Sequence, residues 1–185
     1  MSGIFDSWQA GWCLDVKQRP SPHFNQRSAD EVSLLVIHNI SLPAGQFGLP
    51  YIEALFCGTL DCQADASFAE LEGLAVSAHF LIKRTGEVLQ FVSCDERAWH
   101  AGVSNFQGRS NCNDFAVGIE LEGTDTSGYT DIQYTQLTAL TKALQQQYPL
   151  ITQQRIVGHS DIAPVRKTDP GEGFDWQRYS AAILS

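Results

Sequence analysis

The most constraining feature of this sequence is a nearly continuous run of branched aliphatic residues, VSLLVIH, from Val32 to His38. A strand with one face in water alternates apolar and polar residues, but here only Ser33 interrupts the aliphatic side chains before His38. An unbroken pattern of this kind is typical of a strand that is buried on both faces. The chain is therefore predicted to contain a sheet with other elements packed against both of its sides.

Further strands and helices are interspersed along the chain. Four more strands are predicted, over residues 77–82, 87–93, 115–121 and 155–158. The first two are joined by a predicted hairpin turn at Gly86. Helices are predicted after Pro50, after a capping box formed by Thr130 and Gln133, and over residues 175–184. This pattern favours an α/β (α+β) fold in which a mixed central β-sheet is flanked by α-helices.

The length of the chain and the positions of its proline and glycine residues indicate how it is organised. At 185 residues, without a repeat or a flexible linker, it is predicted to be a single domain spanning residues 1–185. Residues 1–30 contain Pro20 and Pro22 among polar neighbours and are predicted to form a largely extended N-terminal segment. Residues 39–75 are irregular and contain several Pro and Gly residues. So long a connection in a compact domain usually forms a binding wall or a lid.

Charge and cysteine content exclude several classes of function. The 12 Lys and Arg residues against 21 Asp and Glu residues give a formal charge of −9, which disfavours binding to nucleic acid or to an anionic membrane surface. The five cysteines are odd in number and never spaced C-x-x-C, as expected of reduced thiols.

Because the sequence shows no secretory signal or membrane-spanning run, a cytoplasmic protein is predicted. No obligate protein partner is indicated.

Two histidines and one aspartate are candidates for a metal site. His38 and His159 each lie at the end of a predicted strand, and Asp169 comes directly before Pro170. Two imidazoles and one carboxylate are a common ligand set for catalytic zinc, which keeps a fourth position for water and can lower the pKa of that water to about 7. The spacing alone favours the plainer interpretation, in which His38 is a structural core histidine and Asp169 an ordinary turn aspartate.

The predicted strand over residues 115–121 has an unusual second face. Its alternation places Ala116, Gly118, Glu120 and Glu122 on the side opposite its apolar residues. Two small residues beside two carboxylates indicate that this face leaves space and provides charge. The two-residue period does not separate Glu120 from Glu122 as a candidate acid or base.

Four blocks of sequence carry a resemblance to a known family. In chain order they are SLLVIHNISLP (33–43), RAWHAGVSNFQGR (97–109), NDFAVGIELEGTD (113–125) and VGHSDIAPVRKTDPG (157–171). Together they resemble the zinc-dependent N-acetylmuramoyl-L-alanine amidases, a family that includes T7 lysozyme and the peptidoglycan recognition proteins. The similarity runs from about Pro20 to Trp176 and is strongest to the cytoplasmic members that act in cell-wall recycling.

The resemblance implies that His38, His159 and Asp169 hold one zinc ion per chain, and that the fold is a mixed central sheet with helices packed on it. Five further residues are candidates for binding the substrate: Asn39, Tyr51, His79, His100 and Arg109. Within this set, His79 is interpreted as a residue that orients a ligand, and His100 as part of the cleft wall.

The resemblance also assigns roles in catalysis. Glu120 is implied as the catalytic carboxylate, and Glu122 is interpreted as a solvated carboxylate. Lys167 is implied as the cation that stabilises the transition state. Its neighbour Arg166 is interpreted as a surface charge.

The substrate is implied by the same resemblance. The bond cleaved would join the lactyl group of 1,6-anhydro-N-acetylmuramic acid to L-alanine in a soluble anhydro-muropeptide, and removal of such fragments would restrain β-lactamase induction. Similar cytoplasmic amidases are expected to bind the peptide carboxylates with arginines at the positions of Ala75 and Asn111, which are not basic here. Arg109 or backbone N–H groups are the predicted substitutes.

Two other functions are compatible with the sequence. One is a non-catalytic muropeptide-binding module, although such relatives typically lack a zinc ligand and this chain has all three. The other is an amidase that acts on the intact cell wall, which an export signal or an added wall-binding domain would favour.

Overall fold

In the computed structural model, which describes residues 4–185, a six-stranded mixed sheet forms the centre of the molecule. The strands in these residues are β1 (Trp8–Gln9), β2 (Trp12–Cys13), β3 (Lys17–Gln18), β4 (Phe24–Gln26), β5 (Leu34–Ile40), β6 (Phe80–Ile82), β7 (Val88–Gln90), β8 (Glu96–Ala98), β9 (Asn105–Phe106), β10 (Arg109–Ser110), β11 (Ala116–Glu122) and β12 (Ile156–Gly158). The helices are α1 (Tyr51–Phe56), α2 (Asp131–Gln147), α3 (His159–Ile162) and α4 (Trp176–Leu184). Short 3-10 helices span Ala66–Leu71, Cys112–Asp114 and Gln153–Arg155.

The strand order of the central sheet is β12-β5-β11-β6-β7-β3. The first four strands in this order run parallel, β6 and β7 form an antiparallel hairpin, and β3 pairs with β7 in parallel. The hairpin confirms the turn predicted at Gly86, whose φ of 85° is accessible to glycine at little cost. The predicted fold class, a mixed sheet flanked by helices, is confirmed.

The two faces of the sheet are covered by different elements. Leu35 and Ile37 of β5 belong to the main hydrophobic core together with residues of α2 and α4. Leu34 and Val36 belong to a smaller cluster on the opposite face. The predicted burial of this strand on both faces is therefore confirmed. By alternation, His38 points to the second face, away from α2 and α4.

Helix α2 begins and ends where the sequence predicts. The N–H of Gln133 donates to Thr130 Oγ1 at 3.2 Å, and the N–H of Thr130 donates to Gln133 Oε1 at 3.0 Å, which completes the capping box. The helix has 17 residues and ends before Pro149. Across residues 4–185, no helix combines the length and the apolarity that crossing a bilayer requires.

Between residues 4 and 30, the N-terminal segment consists of short strands and turns that are hydrogen-bonded into the fold. Strand β3 forms an edge of the central sheet, and β4 pairs with β8 in an antiparallel ladder. Strands of two or three residues are too short to show a period, so the sequence pattern indicated only a loop. All five cysteines are free thiols.

Arg27 ties this N-terminal segment to the start of β11. Its buried guanidinium donates to the carbonyl oxygens of Cys94 at 3.1 and 3.2 Å, Asn113 at 2.9 Å and Ala116 at 2.9 Å. Burial lowers the pKa of Arg27 from its ordinary value. Three main-chain carbonyls thus share one buried cationic donor.

We expect Arg27→Met to lower the free energy of unfolding by about 2–4 kcal/mol, because buried carbonyl oxygens lose hydrogen bonds from a charged donor. Arg97→Met is the control. Arg97 pairs with Asp114 where the two side chains are 23% and 29% exposed, so its loss should cost about 1 kcal/mol or less. Urea denaturation followed by circular dichroism measures both variants. Equal losses would show that the buried bonds of Arg27 contribute no more than a partly exposed ion pair.

Candidate active site

The candidate metal ligands meet at the carboxyl ends of neighbouring parallel strands. Strands β12, β5 and β11 lie side by side, so their carboxyl ends share one edge of the sheet. His38 lies near the end of β5, and His159 follows β12 directly as the first residue of α3. Asp169 comes from the loop after α3, and its carbonyl oxygen accepts a 3.0 Å hydrogen bond from the N–H of Ser160. That bond holds the loop against α3.

The three side chains converge on one point. His38 Nδ1 lies 3.0 Å from His159 Nδ1 and 3.0 Å from Asp169 Oδ2, and His159 Nδ1 lies 3.1 Å from Asp169 Oδ2. The three potential ligand atoms therefore lie well within the 4.8 Å spacing that a shared ion allows. The fold brings together the three residues singled out in the sequence.

The far nitrogen of each histidine ring has a partner inside the protein. His159 Nε2 lies 3.0 Å from the carbonyl oxygen of Ala101, which can only accept, so Nε2 carries the proton and Nδ1 presents a lone pair. His38 Nε2 lies 2.9 Å from His100 Nδ1. When both Nδ1 atoms carry lone pairs, two nitrogens and one carboxylate oxygen face one another without a proton between them. Such a set fits a cation, and two imidazoles with one carboxylate are typical of catalytic zinc.

Local interactions set protonation states that suit a metal site. Burial lowers the pKa of His38 to about 4 and outweighs the raising effect of the adjacent Asp169 carboxylate, so the imidazole is neutral near pH 7. Burial alone would raise the pKa of Asp169, but the adjacent imidazoles of His159 and His38 outweigh it and hold the pKa below its ordinary value. Neutral imidazole and ionised carboxylate are the forms in which these residues bind metals.

Glu120 lies beside the ligand group. Strand β11 pairs with β5 so that Glu120 is directly opposite His38, and paired residues of adjacent strands point to the same face. Glu120 Oε2 is buried and has no hydrogen-bond partner within residues 4–185. Burial and then the charge of Asp169 raise the pKa of Glu120 well above its ordinary value, against a smaller lowering by Lys167. A carboxylate with a free oxygen and a raised pKa accepts a proton more readily than an exposed glutamate does.

The carboxylate of Glu122, two residues further along β11, is hydrogen-bonded to the protein backbone. It is only 2% exposed, and its Oε1 and Oε2 accept hydrogen bonds from the N–H groups of Gly48 at 2.5 Å and Arg84 at 2.9 Å. The interpretation of Glu122 as a solvated carboxylate is therefore wrong. The carboxylate instead joins the 39–50 loop to the β6–β7 hairpin, through contacts that are distant in sequence.

Two cations line the cleft next to the ligand group. Lys167 is half-buried and lies close enough to Glu120 for its charge to act on that carboxyl group. The guanidinium of Arg166 donates to the carbonyl oxygens of Ala101 at 2.7 Å and Val103 at 3.0 Å. The interpretation of Arg166 as a surface charge is thus incomplete, because this exposed side chain also lines the cleft and holds the 101–103 loop.

The cleft has a polar end and an apolar end. It has a volume of about 540 Å³, and its polar end contains the ligand group and Glu120. Its apolar wall includes Leu55, Phe56, Leu71, Leu74, Val76 and Trp99. Most of this wall comes from α1 and from the end of the 39–75 connection, the segment that the sequence predicts to be a wall or a lid. A cleft with an apolar lining and a few convergent polar groups is typical of a small-molecule site.

A group of hydrogen bonds holds the loop that carries Asp169. Asn39 Nδ2 donates to Asp125 Oδ1 at 2.8 Å and to the carbonyl oxygen of Pro170 at 3.1 Å, and Thr168 Oγ1 donates to Asp125 Oδ2 at 2.6 Å. Asn39 lines the cleft, but its amide N–H groups bond to this loop, so its observed role is to support Asp169. Sequence reasoning did not identify Asp125, because nothing local distinguishes it from any other turn aspartate.

Two residues that were expected to bind the substrate lie away from the cleft. The ring of Tyr51 packs edge-on against Phe68, with centroids 5.0 Å apart. Arg109 pairs with Glu31 at 2.7 Å and stacks over Phe115 at 3.9 Å from the ring centroid. Neither side chain lines the cleft beside the ligand group, and substrate binding by Tyr51 or Arg109 stays a prediction.

His79 lies behind the cleft wall, and His100 forms part of the wall. His79 is fully buried; its Nδ1 accepts from the N–H of Gly118 at 3.0 Å and its Nε2 donates to the carbonyl oxygen of Glu96 at 3.0 Å. His79 supports the cleft wall from behind His100, whose ring centroid is 5.6 Å away. His100 lines the cleft, as expected.

Comparison with known proteins identifies the family. The model of the N-acetylmuramoyl-L-alanine amidase family matches residues 28–172. The Escherichia coli (strain K12) protein 1,6-anhydro-N-acetylmuramyl-L-alanine amidase AmpD is 57% identical over 176 residues, which are 95% of this chain and 96% of that protein.

Solved structures agree with the sequence comparison. The crystal structure of a selenomethionine derivative of AmpD superposes with a TM-score of 0.93 at 56% identity and covers 96% of this chain and 99% of the other. The E. coli amidase AmiD, solved with anhydro-N-acetylmuramic acid-L-Ala-D-γ-Glu-L-Lys, superposes with a TM-score of 0.60 at 28% identity and covers 95% of this chain and 64% of the other. A family match over most of the chain, with more than half of its residues identical to those of a named amidase, places this protein in the N-acetylmuramoyl-L-alanine amidase family.

Proposed function

We propose that this chain is a single-domain, zinc-dependent amidase that acts in the cytoplasm on soluble anhydro-muropeptides. The bond cleaved joins 1,6-anhydro-N-acetylmuramic acid to L-alanine. The observation that carries the proposal is the convergence of His38, His159 and Asp169 beside Glu120, whose Oε2 has no partner in the described chain. The name of the AmpD relative supports the choice of substrate.

The atoms that would hold the zinc ion are His38 Nδ1, His159 Nδ1 and Asp169 Oδ2. A bound zinc ion supplies Lewis acidity and lowers the pKa of a water molecule to about 7. The two imidazoles are neutral ligands and Asp169 contributes one negative charge, so the protein offsets only half of the charge of a divalent ion. The remaining charge favours the negative transition state of amide hydrolysis.

Glu120 acts first as a base and then as an acid. Its free Oε2 takes a proton from the attacking water and passes it to the amine nitrogen of L-alanine, so the carboxylate is regenerated in each turnover. Burial raises the pKa of Glu120 from its ordinary value, so the carboxyl group holds the proton taken from water more readily than an exposed glutamate until it passes that proton to the amine.

Lys167 stabilises the charge that develops on the carbonyl oxygen of the scissile amide. It lines the same cleft as Glu120 and the ligand group. A charged donor aimed at such an oxygen contributes about 3–4 kcal/mol to transition-state stabilisation.

Arg166 and Lys167 provide local positive charge for an anionic peptide, although the chain as a whole carries −9. With Lys167 assigned to the scissile carbonyl oxygen, we propose that Arg166 meets a peptide carboxylate, in place of Arg109, which is paired with Glu31. Removal of anhydro-muropeptides would then also restrain β-lactamase induction, a consequence proposed on the relationship to cell-wall recycling amidases.

Mass spectrometry of the reaction products tests the proposed function. The protein is incubated with zinc and either an anhydro-muropeptide or intact sacculi, with and without a chelator. We expect free peptide from the small substrate only, and none in the presence of the chelator. Cleavage of sacculi at a comparable rate would replace the recycling function with a wall-degrading one. Peptide release that persists in the chelator would overturn the zinc dependence.

A further inference from the structure

We propose that His100 is a positioning residue for the zinc site, that it acts by accepting a hydrogen bond from His38, and that Gly118 provides the space its ring requires. This inference rests on the proposed zinc site. In this role His100 keeps His38 in the tautomer that leaves Nδ1 free to bind the metal.

The ring of His38 has one nitrogen on each side of the site. Nδ1 faces Asp169 Oδ2 at 3.0 Å, and Nε2 lies 2.9 Å from His100 Nδ1. For Nδ1 to bind a cation while the ring is neutral, the proton has to be on Nε2, which then needs an acceptor. His100 Nδ1 is that acceptor, and the two rings meet edge to face with centroids 5.1 Å apart.

Ala101, next to His100 in the chain, orients the second histidine ligand, His159, in the same way. The carbonyl oxygen of Ala101 accepts a 3.0 Å hydrogen bond from His159 Nε2. The N–H groups of His100 and Ala101 both donate to Asn113 Oδ1, at 3.2 and 2.8 Å, which fixes this short segment. Two consecutive residues therefore orient both histidine ligands.

The proton between His38 and His100 has two positions with different consequences. If His100 donated to His38 Nε2, the single N–H proton of neutral His38 would lie on Nδ1 and point at Asp169 Oδ2, which would block metal binding. His100 Nε2 is buried and has no partner within residues 4–185, so the rest of the protein does not fix the tautomer of His100. Zinc binding selects the arrangement in which His38 donates and His100 accepts.

Gly118 makes the position of His100 sterically accessible. It lies on β11, two residues before Glu120 and on the same face. A Cβ atom at Gly118 would lie 2.5 Å from Nδ1, 2.6 Å from Cγ and 2.8 Å from Cε1 of His100. The φ angle of Gly118 is not positive, so this position requires a small side chain for space and not for glycine's conformational freedom. The space implied by the small residues beside Glu120 in the sequence is filled by this ring.

Zinc affinity, measured by competition with a chromophoric chelator, tests the inference. We expect His100→Leu to raise the zinc Kd by about 10–100-fold, as loss of a residue behind a metal-binding histidine typically does. His100→Asn should recover most of that loss, because its Oδ1 can occupy nearly the position of Nδ1 and accept the same bond. His23→Leu is the matched control: His23 is also half-buried, stacks on Trp99 and has no bond to His38, so its zinc Kd should not change.

Gly118→Ala is the second variant, and it touches no proposed ligand directly. We expect it to weaken zinc binding in the same direction as His100→Leu, because the added methyl group displaces the His100 ring. In the wild-type zinc complex, ¹⁵N NMR of the histidine rings should show His38 protonated at Nε2 and His100 protonated at Nε2 with a free Nδ1. A role confined to folding would lower the thermal stability of these variants without changing the Kd or the tautomers.

The outcomes separate this inference from the proposed function. If the wild-type protein does not bind zinc, the proposed function itself fails. If it binds zinc and both His100→Leu and Gly118→Ala retain its Kd, only the positioning role fails. A His100 Nδ1 that carries a proton in the zinc complex would overturn the role as well. If His100→Leu does not fold, Gly118→Ala and the wild-type tautomers decide the question.

Discussion

Glu120→Gln is expected to bind zinc with wild-type affinity and to lower kcat for anhydro-muropeptide cleavage by about 10²–10⁴-fold, the usual contribution of a positioned acid or base. Glutamine has nearly the shape of glutamate but cannot take a proton from water and return it to the amine. Zinc binding should persist because Glu120 is not one of the three residues whose ligand atoms converge. Single-turnover kinetics and zinc content, measured on the same preparation, check both parts.

The pH dependence of activity provides a second readout for Glu120. Burial raises its pKa well above the ordinary value, and the base is active only when it is ionised. Activity should therefore be low when the pH is below this raised pKa and should increase as the pH rises through it. We expect this ascending limb above pH 4.5, the ordinary carboxyl value, and expect it to be absent from the residual activity of Glu120→Gln.

Glu122→Gln is the matched control, since it makes the same change two residues along the same strand. Its carboxylate accepts two backbone N–H groups, and glutamine can accept only one of them well. We expect a loss of stability of about 1–3 kcal/mol with little change in kcat at a temperature where the variant is folded. A Glu120→Gln variant that turned over at nearly the wild-type rate would remove Glu120 from the mechanism.

Asp169→Asn is expected to abolish amidase activity at zinc concentrations that saturate the wild-type protein. The substitution removes the only anionic ligand of the group, and with it the charge that offsets the ion. We expect the zinc Kd to rise by at least about 100-fold, beyond the 10–100-fold effect of residues that lie behind ligands. Metal analysis of the purified protein and competition with a chelator measure the change.

Thermal unfolding checks the same site without reference to activity. A ligand that binds only the folded state at a free concentration of 100 times its Kd stabilises that state by about 2.7 kcal/mol. Chelation should therefore lower the Tm of the wild-type protein and leave the Tm of Asp169→Asn unchanged. Asp131→Asn, at a side chain that is 90% exposed, should respond to chelation as the wild-type protein does. A chelator-sensitive Tm in Asp169→Asn would show that zinc is held by other residues.

The elements that the sequence predicted well have strong local patterns. Strand β5 has an unbroken aliphatic run, and α2 has a capping box at one end and Pro149 beyond the other. The four-residue helix α3 and the two-residue strands near the N-terminus were missed, because so few residues cannot show a period. The strands of the β6–β7 hairpin are shorter than predicted, Phe80–Ile82 and Val88–Gln90; for β7 the reason is that the β-forming residues Phe91 and Val92 continue beyond the last paired residue.

The sequence by itself determined the fold class, the family resemblance and the short set of side chains able to bind a metal. These features are local or depend on residue type, so a single chain read in order contains them. Only the tertiary structure decided what each polar side chain bonds to. It paired Arg109 with Glu31 and buried Glu122 against two backbone N–H groups. It also placed His100 between His38 and Gly118. The physical reason is that these partners are tens to more than a hundred positions apart in the chain, as His38 and Asp169 are, and only chain folding brings them within hydrogen-bonding distance.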